Sequence, residues 1–98
     1  MKAEVRCPKR GHLLAKVDVA QGHATVTPVS IMVGDGSDKL RPQITTGASA
    51  EAGRFVVAAD GIRGVVDWPA CKCGREWRWP DDLWDQLRAG VSHVMAAQ

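Results

Sequence analysis

Three cysteines and one nearby histidine are the residues of this 98-residue chain best suited to chemistry. Cys7 and His12 share the segment Cys7-Pro8-Lys9-Arg10-Gly11-His12, and Cys71 and Cys73 share Cys71-Lys72-Cys73-Gly74 far along the chain. Two tight turns that each offer two soft or borderline donors can clamp one tetrahedral zinc. That ion takes four ligands at about 2.0–2.3 Å and accepts thiolate together with imidazole. The expected site is therefore one structural Zn2+ held by Cys7, His12, Cys71 and Cys73. His12 is preferred to His23 and His93 because it shares the turn with Cys7; His23 opens a strand, and His93 falls on the C-terminal helix. Gly11 and Gly74 let the backbone curl so that amides can point at the thiolate sulfurs. Three cysteines, two of them one residue apart, do not suit a disulfide framework. Three other uses of the thiols stay open. Cys7 can be a buried hydrophobe beside an exposed reducing pair, Cys71 and Cys73 can form a strained disulfide, or an iron–sulfur cluster can take three cysteines where four are usual.

Four protein ligands close the zinc shell, whereas a catalytic zinc keeps one position for water. Zinc deaminases combine Pro-Cys-x-x-Cys with His-x-Glu; this chain has Pro69-Ala70-Cys71-Lys72-Cys73, and no histidine is followed by x-Glu. Nor is there a Gly-x-Ser-x-Gly elbow. The expectation is a protein that is not an enzyme and has no small-molecule substrate.

The run Val5-Arg6-Cys7-Pro8-Lys9-Arg10-Gly11-His12-Leu13-Leu14-Ala15-Lys16-Val17 resembles the first knuckle of small phage and actinobacterial zinc-ribbon proteins. It is similar in particular to the Com-type translational activators of Mu-like phages, whose start runs Cys-x-x-Cys-x-x-Leu-Leu. Arg10 stands where the second cysteine would be, with His12 as the nearby substitute. The second knuckle has one intervening residue instead of two, and the family members are much shorter. The resemblance implies a zinc knuckle and a phage origin, and RNA binding does not carry over with it.

These donors need elements to position them. Glu4 to Arg6 reads as a short edge strand leading into the first turn. Leu13 to Ala20 alternates, with Leu13, Ala15, Val17 and Val19 on one side and Leu14, Lys16 and Asp18 on the other. After the Gln21-Gly22 turn, His23 to Val33 resumes β character, with an edge or bulge at Pro28. Residues 34–54 hold small and turn-forming residues with only Leu40 and Ile44 as anchors, and read as a flexible or partner-ordered insertion. Phe55 to Ala59 and Ile62 to Trp68 form a hairpin about Asp60-Gly61, which favours a type I′ turn, with a bulge at Gly64. Arg75 to Trp79 is a short strand with Trp77 and Trp79 on one side. Pro80-Asp81-Asp82 then opens a helix whose Leu83, Leu87, Val91 and Val94 recur at helical spacing, with Gly90 as its weak point. The expected fold is one small zinc-stapled, β-rich α+β domain over residues 1–98, made of antiparallel, zinc-ribbon-like hairpins with a C-terminal helix.

Composition limits the partners. The chain is 45% hydrophobic and 24% charged, ordinary globular values, and its apolar runs are far shorter than the roughly 20 residues that span a bilayer. The opening residues lack a signal-peptide pattern, so a cytoplasmic location (host cytoplasm, or a virion if phage-encoded) and no membrane partner are expected. Net charge is +2, too balanced to announce a nucleic-acid partner. The first 33 residues hold Lys2, Arg6, Lys9, Arg10 and Lys16 against Glu4 and Asp18. Two functions follow: a protein-interaction or assembly module, such as a phage structural or accessory protein, or a small nucleic-acid-binding regulator for RNA or DNA. Candidate contacts are Lys9, Arg10, Lys16, Arg75 and Arg78, beside a tryptophan cluster that is either core or a stacking platform.

Overall fold

Alternation of small apolar and polar residues builds the sheet. In β1 (Lys2–Arg6), Ala3 and Val5 are buried while Lys2 and Glu4 point away. In β3 (His23–Pro28), Ala24 and Val26 do the same. A computed structural model describes residues 1–34, 40–44, 53–64, 66, 68–71 and 77–97. The other described elements are β2 (Leu13–Ala20), β4 (Ser30–Gly34), β5 (Leu40–Ile44), β6 (Phe55–Ala58), β7 (Gly61–Gly64), α1 (Leu83–Arg88) and β8 (His93–Met95). One mixed sheet has six strands in the order β7-β6-β3-β2-β1-β8, and β4 and β5 form a separate two-stranded sheet. The result is a small β-rich domain with one short helix.

The pairs are antiparallel from β7 to β1, as hairpin patterning suggests. The exception is β8, which lies parallel to β1 with Glu4 beside His93 and Val5 beside Val94. Two expectations are corrected here: β1 is an interior strand, and the chain does not end in a helix. The reason is Gly90. With φ +89° it turns the chain out of α1. Its amide donates to the Leu87 carbonyl at 3.1 Å, and the Val91 amide donates to Gln86 at 3.0 Å, the paired bonds of a Schellman stop. Val94, at helical spacing in the sequence, is fully buried in a strand, and His93 is a strand residue.

A third correction concerns β2. Its register with β1 slips between Val5 and Arg6, so that Val5 faces Ala15 and Arg6 faces Leu13. This bulge buries Leu14 and Ala15 in succession and breaks the strict alternation. A fourth concerns residues 34–54. Leu40–Ile44 pairs with Ser30–Gly34 as the β4–β5 hairpin, so the stretch is not without structure; residues 35–39 and 45–52 lie outside the described residues. Pro28 ends β3, and the chain then passes into the second sheet. The β6–β7 turn pairs Ala58 with Gly61. Ala59 and Asp60 therefore occupy its centre, and neither has positive φ, so the turn is not type I′.

The core lies on one face of the six-stranded sheet. Val5, Leu14, Val26, Phe55 and Val94 meet Leu83 and Leu87 of α1 and the buried Trp77. Trp79 and Trp84 pack on this cluster, and the Phe55 and Trp79 rings meet edge to face at 5.1 Å. Trp77 is core, Trp79 and Trp84 are half-buried against it, and Trp68 is 39% exposed. Of the expected strand 75–79, an antiparallel bridge joins Arg78 to Ala97. No helix among the described residues is long and apolar enough to cross a membrane.

If the tail is a strand, adjacent residues must differ in sensitivity. Val94→Ala should cost about 2 kcal/mol in urea unfolding, as a buried deletion does. Met95→Ala, on the exposed side, should stay within about 0.5 kcal/mol. Equal effects would contradict the strand.

Candidate metal centre

The first turn is built by its backbone. The Cys7 amide donates to the His12 carbonyl at 2.9 Å, and the Gly11 amide donates back to the Cys7 carbonyl at 2.8 Å. Gly11 takes φ +71° there, a conformation that favours glycine. The Gly11 amide is thus spent on an oxygen, and Gly74 lies outside the described residues. Arg6 closes the turn from outside. Its Nη1 donates to the Gly11 carbonyl at 2.7 Å, and its Nε donates to Glu4 Oε2 at 2.8 Å. The β2 bulge lies beside this turn and re-aims the chain between Leu14 and His12.

The segment that leads to Cys71 is held by β4. The Ala70 amide donates to the Ser30 carbonyl at 3.1 Å, Ser30 Oγ donates to the Ala70 carbonyl at 3.3 Å, and Ile31 bridges Pro69. Cys71 follows directly and rests against the main core cluster.

These tethers bring three donor atoms together. Cys7, His12 and Cys71 present Sγ, a ring nitrogen and Sγ all within 4.8 Å of one another. His12 Nδ1 is 3.4 Å from Cys71 Sγ. In a zinc tetrahedron, ligand distances of 2.3 Å to sulfur and 2.0–2.1 Å to nitrogen put a sulfur and a nitrogen about 3.5 Å apart and two sulfurs about 3.8 Å apart. The observed spacing fits with a contraction of no more than about 1 Å. Cys7 is fully buried, and His12 and Cys71 are half-buried. A dry wall of this kind strengthens a cation's hold on thiolates. Two thiolates and an imidazole are a zinc donor set rather than a calcium or magnesium set, which takes oxygens.

No protein-family model, curated protein or solved structure matches this chain. What the site can do is therefore argued from its donors.

Of the four ligands expected from sequence, Cys7, His12 and Cys71 converge, and Cys73 lies outside the described residues, as does Arg75. His23 and His93 stand on exposed strand positions away from the cluster. Lys9 and Arg10 are exposed on the turn next to Cys7. Lys16 is exposed on the outer sheet face, opposite Glu4 in the β1–β2 register, and Lys2 is opposite Asp18. Arg78 is exposed with its guanidinium 5.7 Å from the Trp68 ring centroid. Sequence reasoning missed the Arg6 clasp and the Ser30 tether. Arg6 counts among the basic residues of the first 33 positions, and its alternation with Glu4 on one strand face is the signal for the pair.

Zinc content of purified variants checks the ligand set. Cys7→Ser and Cys71→Ser should each lose most of the bound metal, and His12→Ala should weaken it at least tenfold. His23→Ala and His93→Ala should keep one equivalent. Full retention in Cys71→Ser would remove the site.

Proposed function

We propose that this protein is a non-enzymatic binding module, stapled by one structural Zn2+, whose partner is another protein or a larger assembly. The observation that carries it is the convergence of Cys7, His12 and Cys71 from two loops that are otherwise fixed by backbone bonds. A metal there joins the start of β2 to the segment that leads into α1. Cys73, two residues beyond Cys71, is the fourth ligand in this reading and closes the shell to water.

Structural zinc in small fingers supplies about 10–16 kcal/mol apparent, comparable with the whole net stability of a typical domain, about 5–15 kcal/mol. In this chain the staple links the sheet to its cover. The metal's role is then to hold the scaffold, and recognition falls to the surface.

The charge pattern favours a protein over a nucleic acid. Across the outer sheet face Lys2 stands opposite Asp18, and Lys16 opposite Glu4. Such pairing neutralises a face rather than making a phosphate track. Arg6 is committed to Glu4 and the Gly11 carbonyl. Of the basic residues near the first turn, Lys9 and Arg10 remain exposed beside it.

Two measurements test the proposal. Chelation should abolish the cooperative thermal transition, and one equivalent of Zn2+ should restore it; an unchanged transition would sink the staple. The zinc-loaded protein should not bind mixed-sequence RNA or DNA at about 50 mM or 200 mM salt, the range over which phosphate-driven affinity falls steeply. Binding that collapses across that range would replace this reading with a nucleic-acid regulator using Lys9 and Arg10.

A further inference from the structure

The two sulfurs of the donor cluster carry a second chemistry. Cys7 and Cys71 stand as thiols, and their Sγ atoms lie within 4.8 Å of each other. A disulfide needs its sulfurs at about 2.0 Å. The gap to close is under about 3 Å, no more than one step between staggered rotamers moves a cysteine sulfur. The pair is remote in sequence, and backbone bonds fix both of its segments. Cys7 is tied to His12 and Gly11, and Ala70, just before Cys71, is tied to Ser30. Their proximity is therefore a product of the fold. Cys73 is nearer to Cys71 in sequence, one residue away, but a bridge across so short a span is strained.

The two sulfurs also differ in access. Cys7 is fully buried, whereas Cys71 is half-buried against the core. A dissolved oxidant meets Cys71 first, with a second thiol already within reach. An accessible cysteine beside a resolving one is the arrangement of a redox-sensing pair.

We infer that Cys7 and Cys71 form a reversible disulfide, which takes over the staple from the metal when a peroxide oxidises the site. The Cys71 thiolate attacks one peroxide oxygen, the O–O bond breaks, and Cys71 becomes a sulfenic acid. The Cys7 thiolate then attacks the Cys71 sulfur and expels the remaining oxygen. Two electrons pass from the sulfurs to the peroxide, and two protons from solvent complete two waters. Zn2+ leaves, because disulfide sulfurs lack the thiolate charge that binds it. The inference rests on the zinc reading above and adds its regulation. The joint between the first turn and the segment leading to α1 stays closed in both states, while a metal holds His12 in only one of them.

The test titrates hydrogen peroxide into the reduced, zinc-loaded full chain while released Zn2+ and remaining thiols are counted. One equivalent of Zn2+ should leave as two of the three thiols disappear. Trypsin, cutting after Arg6, Lys9, Arg63, Lys72 and Arg75, puts each cysteine in its own peptide, and residues 7–9 should be linked to residues 64–72. In Cys73→Ser, which keeps only Cys7 and Cys71, the same link should form. In chelator the oxidised protein should keep the cooperative thermal transition that the reduced protein loses, and dithiothreitol should cancel the difference. Residues 73–75 in the major linked product, a disulfide-linked dimer, or zinc release with sulfinic acid at Cys71 and no link would overturn the inference. So would loss of the transition in the oxidised protein, or thiols and zinc that withstand peroxide at which the chelated chain is oxidised. Failure of the zinc reading looks different: the reduced protein holds no metal before any oxidant is added, and the peptide map then decides the disulfide alone.

Discussion

A six-stranded sheet has two faces, and this chain has very little material with which to dry one of them. That constraint governs the rest of the structure. The six-residue helix α1 contributes Leu83 and Leu87, and the remaining area comes from rings. Trp77 is buried outright, and Trp79 and Trp84 lean on the same cluster. Large aromatics cover the most surface per position, and their use here has a cost. The indole N–H groups of Trp77 and Trp84 are buried with no acceptor among the described residues, and an unmet donor costs about 1–3 kcal/mol. Area wins over satisfaction because so few residues are available to form the cover.

The cover must also be joined to the sheet. It begins near Cys71, includes Trp77 and α1, and returns as β8 along β1. At its entry Cys71 meets Cys7 and His12; at its exit Ala96 donates to the Arg6 carbonyl at 2.9 Å, and Ala97 and Arg78 exchange backbone bonds. The donor cluster and the tail therefore meet the same layer at neighbouring places, one residue apart on β1 and its turn. Arg6 takes part in both, with its backbone serving the tail and its guanidinium the turn.

Much of this was legible in the residues. The extent of β2, the alternation in β3, the Gln21-Gly22 turn, the pairing of the Phe55 strand in a hairpin and the convergence of Cys7 with His12 and Cys71 follow from periodicity, turn chemistry and donor type. The misreadings share a cause. Val91 and Val94 keep a helical spacing from Leu87, and in a single sequence that spacing cannot be told from a half-buried loop residue and a strand-buried one after a glycine stop. The bulge at Leu14 was hidden because two adjacent leucines fit either face of a strand. The parallel β1–β8 pair joins opposite ends of the chain and leaves no local signal. The Ser30–Ala70 tether is likewise a backbone contact between remote segments, invisible to motif spacing.

The pairing of the first strand with the last has a consequence for how the molecule is made. Contacts between remote segments form late, because chain closure costs entropy before they reward it. On the ribosome, β1 emerges before β8. The hairpins from β1 to β3 can assemble early, but one flank of β1 stays unpaired until His93–Met95 is synthesised. The nascent protein thus carries an open hydrogen-bonding edge until that strand is made. Lys2, Glu4 and Arg6 occupy the solvent-facing positions of that strand, and charges so placed discourage neighbouring chains from docking before the tail arrives.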